Sequence, residues 1–173
     1  MNLQIKRMTN IAAIAAIYVA VSLVLNVFAF GPIQVRISEV LIIAAIISVD
    51  GIYGVTIGCF FTNLIGNTLG FSALGIADVV GGTILTLLAA ILAYYFRNKR
   101  SKNNIPYLSL MMPVLLNMFG LPLIFAYIIH DGFFLNIYLS EVGFIFIGQF
   151  ISCVVLGSLL FNPIEKKLEK HLL

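Results

Sequence analysis

The sequence predicts an all-α integral membrane protein, a bundle of six transmembrane helices with both termini cytoplasmic and a single domain over 1–173. Three observations predict it. Of 173 residues, 61% are hydrophobic and only 10% are charged, against about 25% charged in an ordinary soluble domain, so this pool cannot supply a water-facing shell. The mean hydropathy is +1.10. Uncharged runs cover 8–35, 51–77, 79–96, 103–130 and 142–164, each long enough for a spanning helix of roughly 20 apolar residues. A soluble enzyme and a nucleic-acid-binding protein are thereby excluded, and the net charge of +3 reads as topology and attraction to anionic lipid.

The first span is expected over 9–30. It follows Lys6 and Arg7 as a signal-peptide core would, but it is longer than such a core and lacks a small-residue cleavage site before its end. It therefore reads as a retained helix. Ala12, Ala16 and Ala20, with Ala13 and Ala15 beside them, put small side chains on one face, where another helix can approach closely; that helix belongs to this bundle or to a separate membrane subunit. The second span, 36–49, has a short uncharged part, and charge decides its status, because Lys and Arg concentrate on the cytoplasmic side. If it crosses, Lys6 and Arg7, then Arg97, Lys99, Arg100 and Lys102, then Lys166, Lys167 and Lys170 all face one side, nine of the ten cations. If it does not, the first group lies opposite the others.

The remaining spans are expected at 52–69, 76–96, 106–129 and 136–161. Turn chemistry marks joints at Gly31-Pro32, at Asp50-Gly51, within 66–75 and at Asp131-Gly132, and 97–104 is the strongly polar connection. Pro113, Gly120 and Pro122 interrupt the fifth span, which a bilayer tolerates where neighbours satisfy the freed backbone groups. Cys59 and Cys153 lie inside spans without a Cys-x-x-Cys pair and read as small packing residues.

Topology gives each intramembrane polar residue a depth. Arg36 and Glu39 open the second span from outside, Asn63 and Asn67 lie in the outer half of the third, Asp78 begins the fourth, and Asn136 and Glu141 begin the sixth. Asn117 and Gln149 lie near mid-membrane, while the inner half offers little beyond Thr56 and Ser158. This asymmetry points to a polar cavity open to the outside. A charged side chain at a helix centre costs about 2.5–3.5 kcal/mol on insertion scales, so such groups pair or line a wet site. Two readings stay open for each. Arg36 and Glu39, three apart on one helical face, pair with each other near the interface or line the cavity. Asp78 and Glu141 meet headgroup water or a ligand, and Asn117 and Gln149 join helices or contact a ligand. No nucleophile elbow, zinc motif, P-loop or dense carboxylate cluster occurs, so no catalytic residue, cofactor or metal is expected. His130 and His171 fall at opposite faces, and the chain is small beside secondary transporters built from repeats.

The stretch Gly31-Pro32-Ile33-Gln34-Val35-Arg36-Ile37-Ser38-Glu39, followed by Gly58-Cys59, Asn63-Leu64, Asp78, Gly81, Thr83 and Val154-Val155-Leu156-Gly157, resembles the QueT family, substrate-binding S components of energy-coupling factor (ECF) transporters. The resemblance covers nearly the whole chain. It implies a six-helix protein that binds a micronutrient in an outward-facing cavity and works with a membrane coupling subunit, the T component, and two cytoplasmic ATPases. It also implies that the face of Ala12, Ala16 and Ala20 contacts that coupling subunit. The implied cargo is a queuosine precursor, pre-queuosine 1 (7-aminomethyl-7-deazaguanine) or queuine. For such a deazapurine, Glu39, Asp78 and Glu141 are carboxylates available to a guanine-like edge or an aminomethyl cation. Arg36, Asn63, Asn67, Asn117 and Gln149 add donors and acceptors, and Phe71, Phe119 or Tyr138 can stack on the ring. Family members commonly carry Gly-Glu where this chain has Gly148-Gln149. An S component for another vitamin, such as riboflavin or thiamine, and a structural membrane subunit without cargo are the other readings.

Overall fold

The computed structural model describes residues 3–29, 35–72, 75–128 and 133–172, with the side chains of 28, 29, 128 and 168–172 excepted. These form six helices and contain no strand: α1 (Leu3–Val24), α2 (Ile37–Ile47), α3 (Val49–Thr68), α4 (Asp78–Tyr95), α5 (Tyr107–Ile128) and α6 over 135–172. A single helical turn, Asn26–Ala29, follows α1. Every helix except α2 is long and apolar enough to cross a bilayer. The expected joints at Gly31-Pro32 and Asp131-Gly132, and His130, lie outside the described residues, as does the side chain of His171.

Lipid as solvent decides which way each helix faces. On α4 the large side chains Ile84, Leu88 and Ile91 are exposed, while Thr86, Ala89, Ala90 and Ala93 are buried. Small residues inward and bulky ones outward is the packing that membrane helices adopt, since tails solvate Leu and Ile as well as a core does. Helix α2 differs, because Ile42, Ile43, Ala44, Ala45 and Ile46 are buried in succession. A helix apolar all round is one surrounded by protein, and α2 packs against α3, α4 and α6. It is only roughly 17 Å long, so it threads the middle of the bundle and carries the polar residues at its start into the interior.

The joint between α2 and α3 is tighter than its sequence suggests. Asp50 and Gly51 do not form a turn; they lie in the first turn of α3. Ser48 alone makes the reversal, in an extended conformation, and its Oγ accepts from the Gly51 N–H at 3.0 Å. This N-cap satisfies an orphan donor of the new helix, and Asp50 then sits where the helix dipole favours an anion. Helix α1 packs most extensively on α3, and Gly58 permits it: a Cβ there would stand 2.7 Å from the Cβ of Tyr18.

Helix α5 runs unbroken through Pro113 and Pro122. Helix α6 continues past Phe161, the expected end, to Leu172. Its extension is rich in Glu, Lys and Leu, which favour helix, and Arg100 fixes it through an ion pair to Glu165 at 2.7 Å. At the same end of the bundle Arg7 pairs with Asp50 at 2.9 Å. A notch of about 340 Å³ there is lined by Lys6, Arg7, Asn10, Ser48, Asp50 and Tyr94. The start of α1, the α2–α3 joint, the 97–105 connection and the α6 extension therefore share one end, and the basic groups gather there.

Candidate functional site

Away from the basic end, three helices lose regular winding where they carry polar side chains. Helix α2 opens as a 3-10 turn over Ile37–Leu41, with the Glu39 N–H donating to the Arg36 carbonyl at 2.9 Å. Helix α4 opens as a π-helical turn over Asp78–Gly82. A π turn shifts the backbone ladder by one residue, and the Asp78 carbonyl also accepts from Asn63 Nδ2 on α3 at 3.0 Å. A Cβ on Gly82 would lie 2.8 Å from that amide nitrogen and 3.1 Å from Asp78 Oδ1, so only glycine lets the two groups meet. Helix α6 passes into a π segment, Phe150–Leu156, immediately after Gln149.

These segments assemble one buried polar cluster. Arg36 Nη2 donates to Asp78 Oδ2 at 3.3 Å and to Oδ1 at 3.4 Å, and the Ser72 hydroxyl donates to Oδ2 at 3.0 Å. The Tyr18 hydroxyl donates to Glu39 Oε1 at 2.8 Å, and the Ser22 hydroxyl donates to Ser38 Oγ at 2.6 Å. The Cys153 thiol lies 3.9 Å from the Glu39 carbonyl oxygen and 3.6 Å from Gln149 Oε1, which joins α6 to the group. Tyr18, Arg36, Glu39, Asn63, Asp78 and Gln149 are all between 0% and 3% exposed. Most polar atoms are matched, as the interior demands, but Gln149 Nε2 and Asn63 Oδ1 have no hydrogen-bond partner. Within these cluster residues one open donor and one open acceptor are left; Thr62 Oγ1 and Ser109 Oγ are likewise buried without a hydrogen-bond partner among the described residues.

Of the residues singled out in the sequence, Arg36, Glu39, Asn63, Asp78 and Gln149 are thus brought together. The ion pair of Arg36 runs between helices, to Asp78. Asn67 is half-buried one turn beyond Asn63. Asn117 is buried on α5, and among the described residues no side-chain hydrogen bond joins it to the cluster. Tyr138 is half-buried and ties α6 to α5, its hydroxyl donating to the Phe119 carbonyl at 3.4 Å. Glu141 is half-buried two turns before Gln149, and the candidate stacking rings Phe71 and Phe119 are exposed. Cys59 and Cys153 are free thiols in the core. The cluster is closed to solvent in this structure, where the sequence pointed to an open cavity, because the polar groups satisfy one another across the helices. Tyr18, Ser22, Ser38 and Ser72 escaped sequence reasoning. The spacing of four between Tyr18 and Ser22 was the available signal, since it puts two hydroxyls on one face of an otherwise apolar helix.

The alanine face lies elsewhere. Ala12, Ala16 and Ala20 are exposed and, with Val19, Ile57 and Phe61, line an apolar groove of about 490 Å³ between α1 and α3. Positions two apart on a helix differ by about 200°, so this stripe and the face of Tyr18 and Ser22 look in opposite directions.

Comparison with known proteins bears on both faces. The QueT transporter family matches residues 8–166. The queuosine precursor transporter QueT of Lactococcus lactis subsp. cremoris (strain MG1363) is 30% identical over 155 residues, covering 82% of this chain and 87% of that protein. No solved structure matches the chain. A match over nearly its whole length, on a bundle of apolar helices, makes the chain a multi-pass membrane protein that belongs to the QueT transporter family.

Proposed function

We propose that the protein is the S component of an ECF-type importer and that its buried cluster binds a queuosine precursor, pre-queuosine 1 or queuine. The observation that carries this is the pair of unpartnered polar atoms, Gln149 Nε2 and Asn63 Oδ1, beside three charged groups in a membrane interior. A guanine-like edge offers a carbonyl acceptor next to an N–H donor, the complement of one open donor and one open acceptor. The name of the Lactococcus relative supports the same cargo. Arg36, Glu39, Asn63, Asp78 and Gln149 form the inner site; Asn67, Tyr138 and Glu141 stand towards its outer entrance, and Asn117 lies at mid-membrane depth on α5. Because the cluster is sealed, substrate enters when the outer ends of the helices separate.

The chain supplies no nucleotide-hydrolysing motif, so uptake draws on two partner ATPases acting through a membrane coupling subunit. The exposed groove of Ala12, Ala16 and Ala20 is the surface that accepts this T component, since small side chains allow a partner helix to come close. The basic end faces the cytoplasm.

Calorimetry on the purified chain in detergent tests the cargo. Saturable binding of 7-aminomethyl-7-deazaguanine is expected, with none for riboflavin or thiamine, and Gln149→Leu weakens the binding by roughly tenfold through loss of a buried donor. Binding of a vitamin in place of the deazaguanine would overturn the assignment.

A further inference from the structure

The carboxylates of this bundle are not equally supplied with cations. Asp50 holds Arg7, Asp78 holds Arg36 and Glu165 holds Arg100. Among the described residues no ion pair joins Glu39 to a cation: it is 2% exposed, and its one side-chain hydrogen bond among them is the Tyr18 hydroxyl on Oε1. Arg36, one 3-10 turn earlier, is the nearest cation along the chain, but its Nη2 is engaged by both oxygens of Asp78. With Glu39 ionised, the group of Arg36, Asp78 and Glu39 carries one negative charge in excess. The other groups against Glu39, the Tyr18 hydroxyl and the Cys153 thiol, carry no positive charge. A buried carboxylate with a neutral donor on one oxygen is poorly compensated, and intramembrane charges of this kind mark the place where a counter-charge arrives.

We propose that Glu39 is the counter-ion for a protonated amine on the substrate, so that the site selects an amine-bearing deazaguanine over an uncharged one of the same shape. This rests on the reading of the cluster as a deazaguanine site and names the charge of the ligand within it. Asp78 has a different part, because two donors, Arg36 Nη2 and the Ser72 hydroxyl, already make three hydrogen bonds to its carboxylate; it holds Arg36 and orders the site. Tyr18 occupies one oxygen of Glu39 and leaves the other towards the ligand.

The test compares 7-aminomethyl-7-deazaguanine with 7-cyano-7-deazaguanine, nearly equal in size and different in charge, by calorimetry on the full chain. The wild-type protein is expected to bind the amine at least about tenfold more tightly, the scale of a hydrogen bond to a charged group. Glu39→Gln keeps an acceptor for Tyr18 and removes the charge, so the ratio falls to about one through loss of affinity for the amine, and an unchanged unfolding midpoint in detergent reports an intact fold. Tyr18→Phe leaves the carboxylate and keeps the preference. Equal wild-type affinities, or a preference that survives Glu39→Gln, overturn the counter-ion role and leave the deazaguanine assignment standing. Loss of the preference in Tyr18→Phe as well would assign it to packing and also overturn the role. If neither compound binds the wild-type chain, the assignment of the site falls and this inference with it.

Discussion

At the scale of residues, the scarcity of charge makes each pairing consequential. Arg36 and Asp78 meet at 3.3 Å with side chains almost fully shielded, from helices that are distant in sequence. A buried pair adds little net stability over apolar replacements, but breaking it by removing one partner costs about 3–5 kcal/mol, because the remaining charge loses its compensation. Asp78→Ala is therefore expected to lower the thermal unfolding midpoint in detergent steeply, and Arg36→Met combined with Asp78→Ala to recover most of the loss. A single variant as stable as the wild type would show that the pair does not join α2 to α4. The sequence exposed these residues well, since ionisable groups inside apolar runs are conspicuous. It could not say whether Arg36 takes Glu39, three residues on, or Asp78 on another helix, because spacing along one helix carries no information about its neighbours.

At the scale of elements, the same helix serves two purposes through opposite faces. The inward face of α1 presents Ile14, Tyr18 and Ser22, and its outward face presents the alanines. Gly58 sets how near the inward face comes to α3, so Gly58→Leu, whose Cβ would start 2.7 Å from that of Tyr18, is expected to destabilise the fold by about 1–3 kcal/mol through overpacking. Ala16→Leu, on the exposed face, is expected to leave stability within about 0.5 kcal/mol of wild type; denaturation of both variants in detergent makes the comparison. Helices of this kind were legible from apolar run length alone. Their irregular turns were not: in the 3-10 start of α2 and the π turn at Asp78–Gly82 side chains of other helices meet the Glu39 and Asp78 carbonyls, and the π turn at Phe150–Leu156 has no signal in residue spacing. The one-residue reversal at Ser48 was hidden for a similar reason, since Asp50-Gly51 is ordinary turn chemistry that here begins a helix.

At the scale of the whole molecule, orientation follows from geometry and charge together. The ion pair between Arg7 and Asp50 puts the starts of α1 and α3 at one end, so α2 must return the chain from the opposite end, although its helix is roughly half the bilayer's thickness of about 30 Å. It can be that short because protein surrounds it and its own residues need not meet lipid along its length. Arg100 and Glu165 bring the 97–105 connection and the α6 extension to the same end, which is the even number of passes that the grouping of nine cations required. If that end is cytoplasmic, single cysteines placed in a Cys59→Ala, Cys153→Ala background will divide by side. A membrane-impermeant maleimide added to intact cells is expected to label Leu69→Cys, at the exposed far end of α3, and to reach Lys99→Cys and Lys166→Cys only after permeabilisation. Labelling of Lys166→Cys and Lys99→Cys from opposite sides would break the shared end. Labelling of both on intact cells, with Leu69→Cys protected, would invert the protein and remove the outward-facing entrance to the Glu39 cluster.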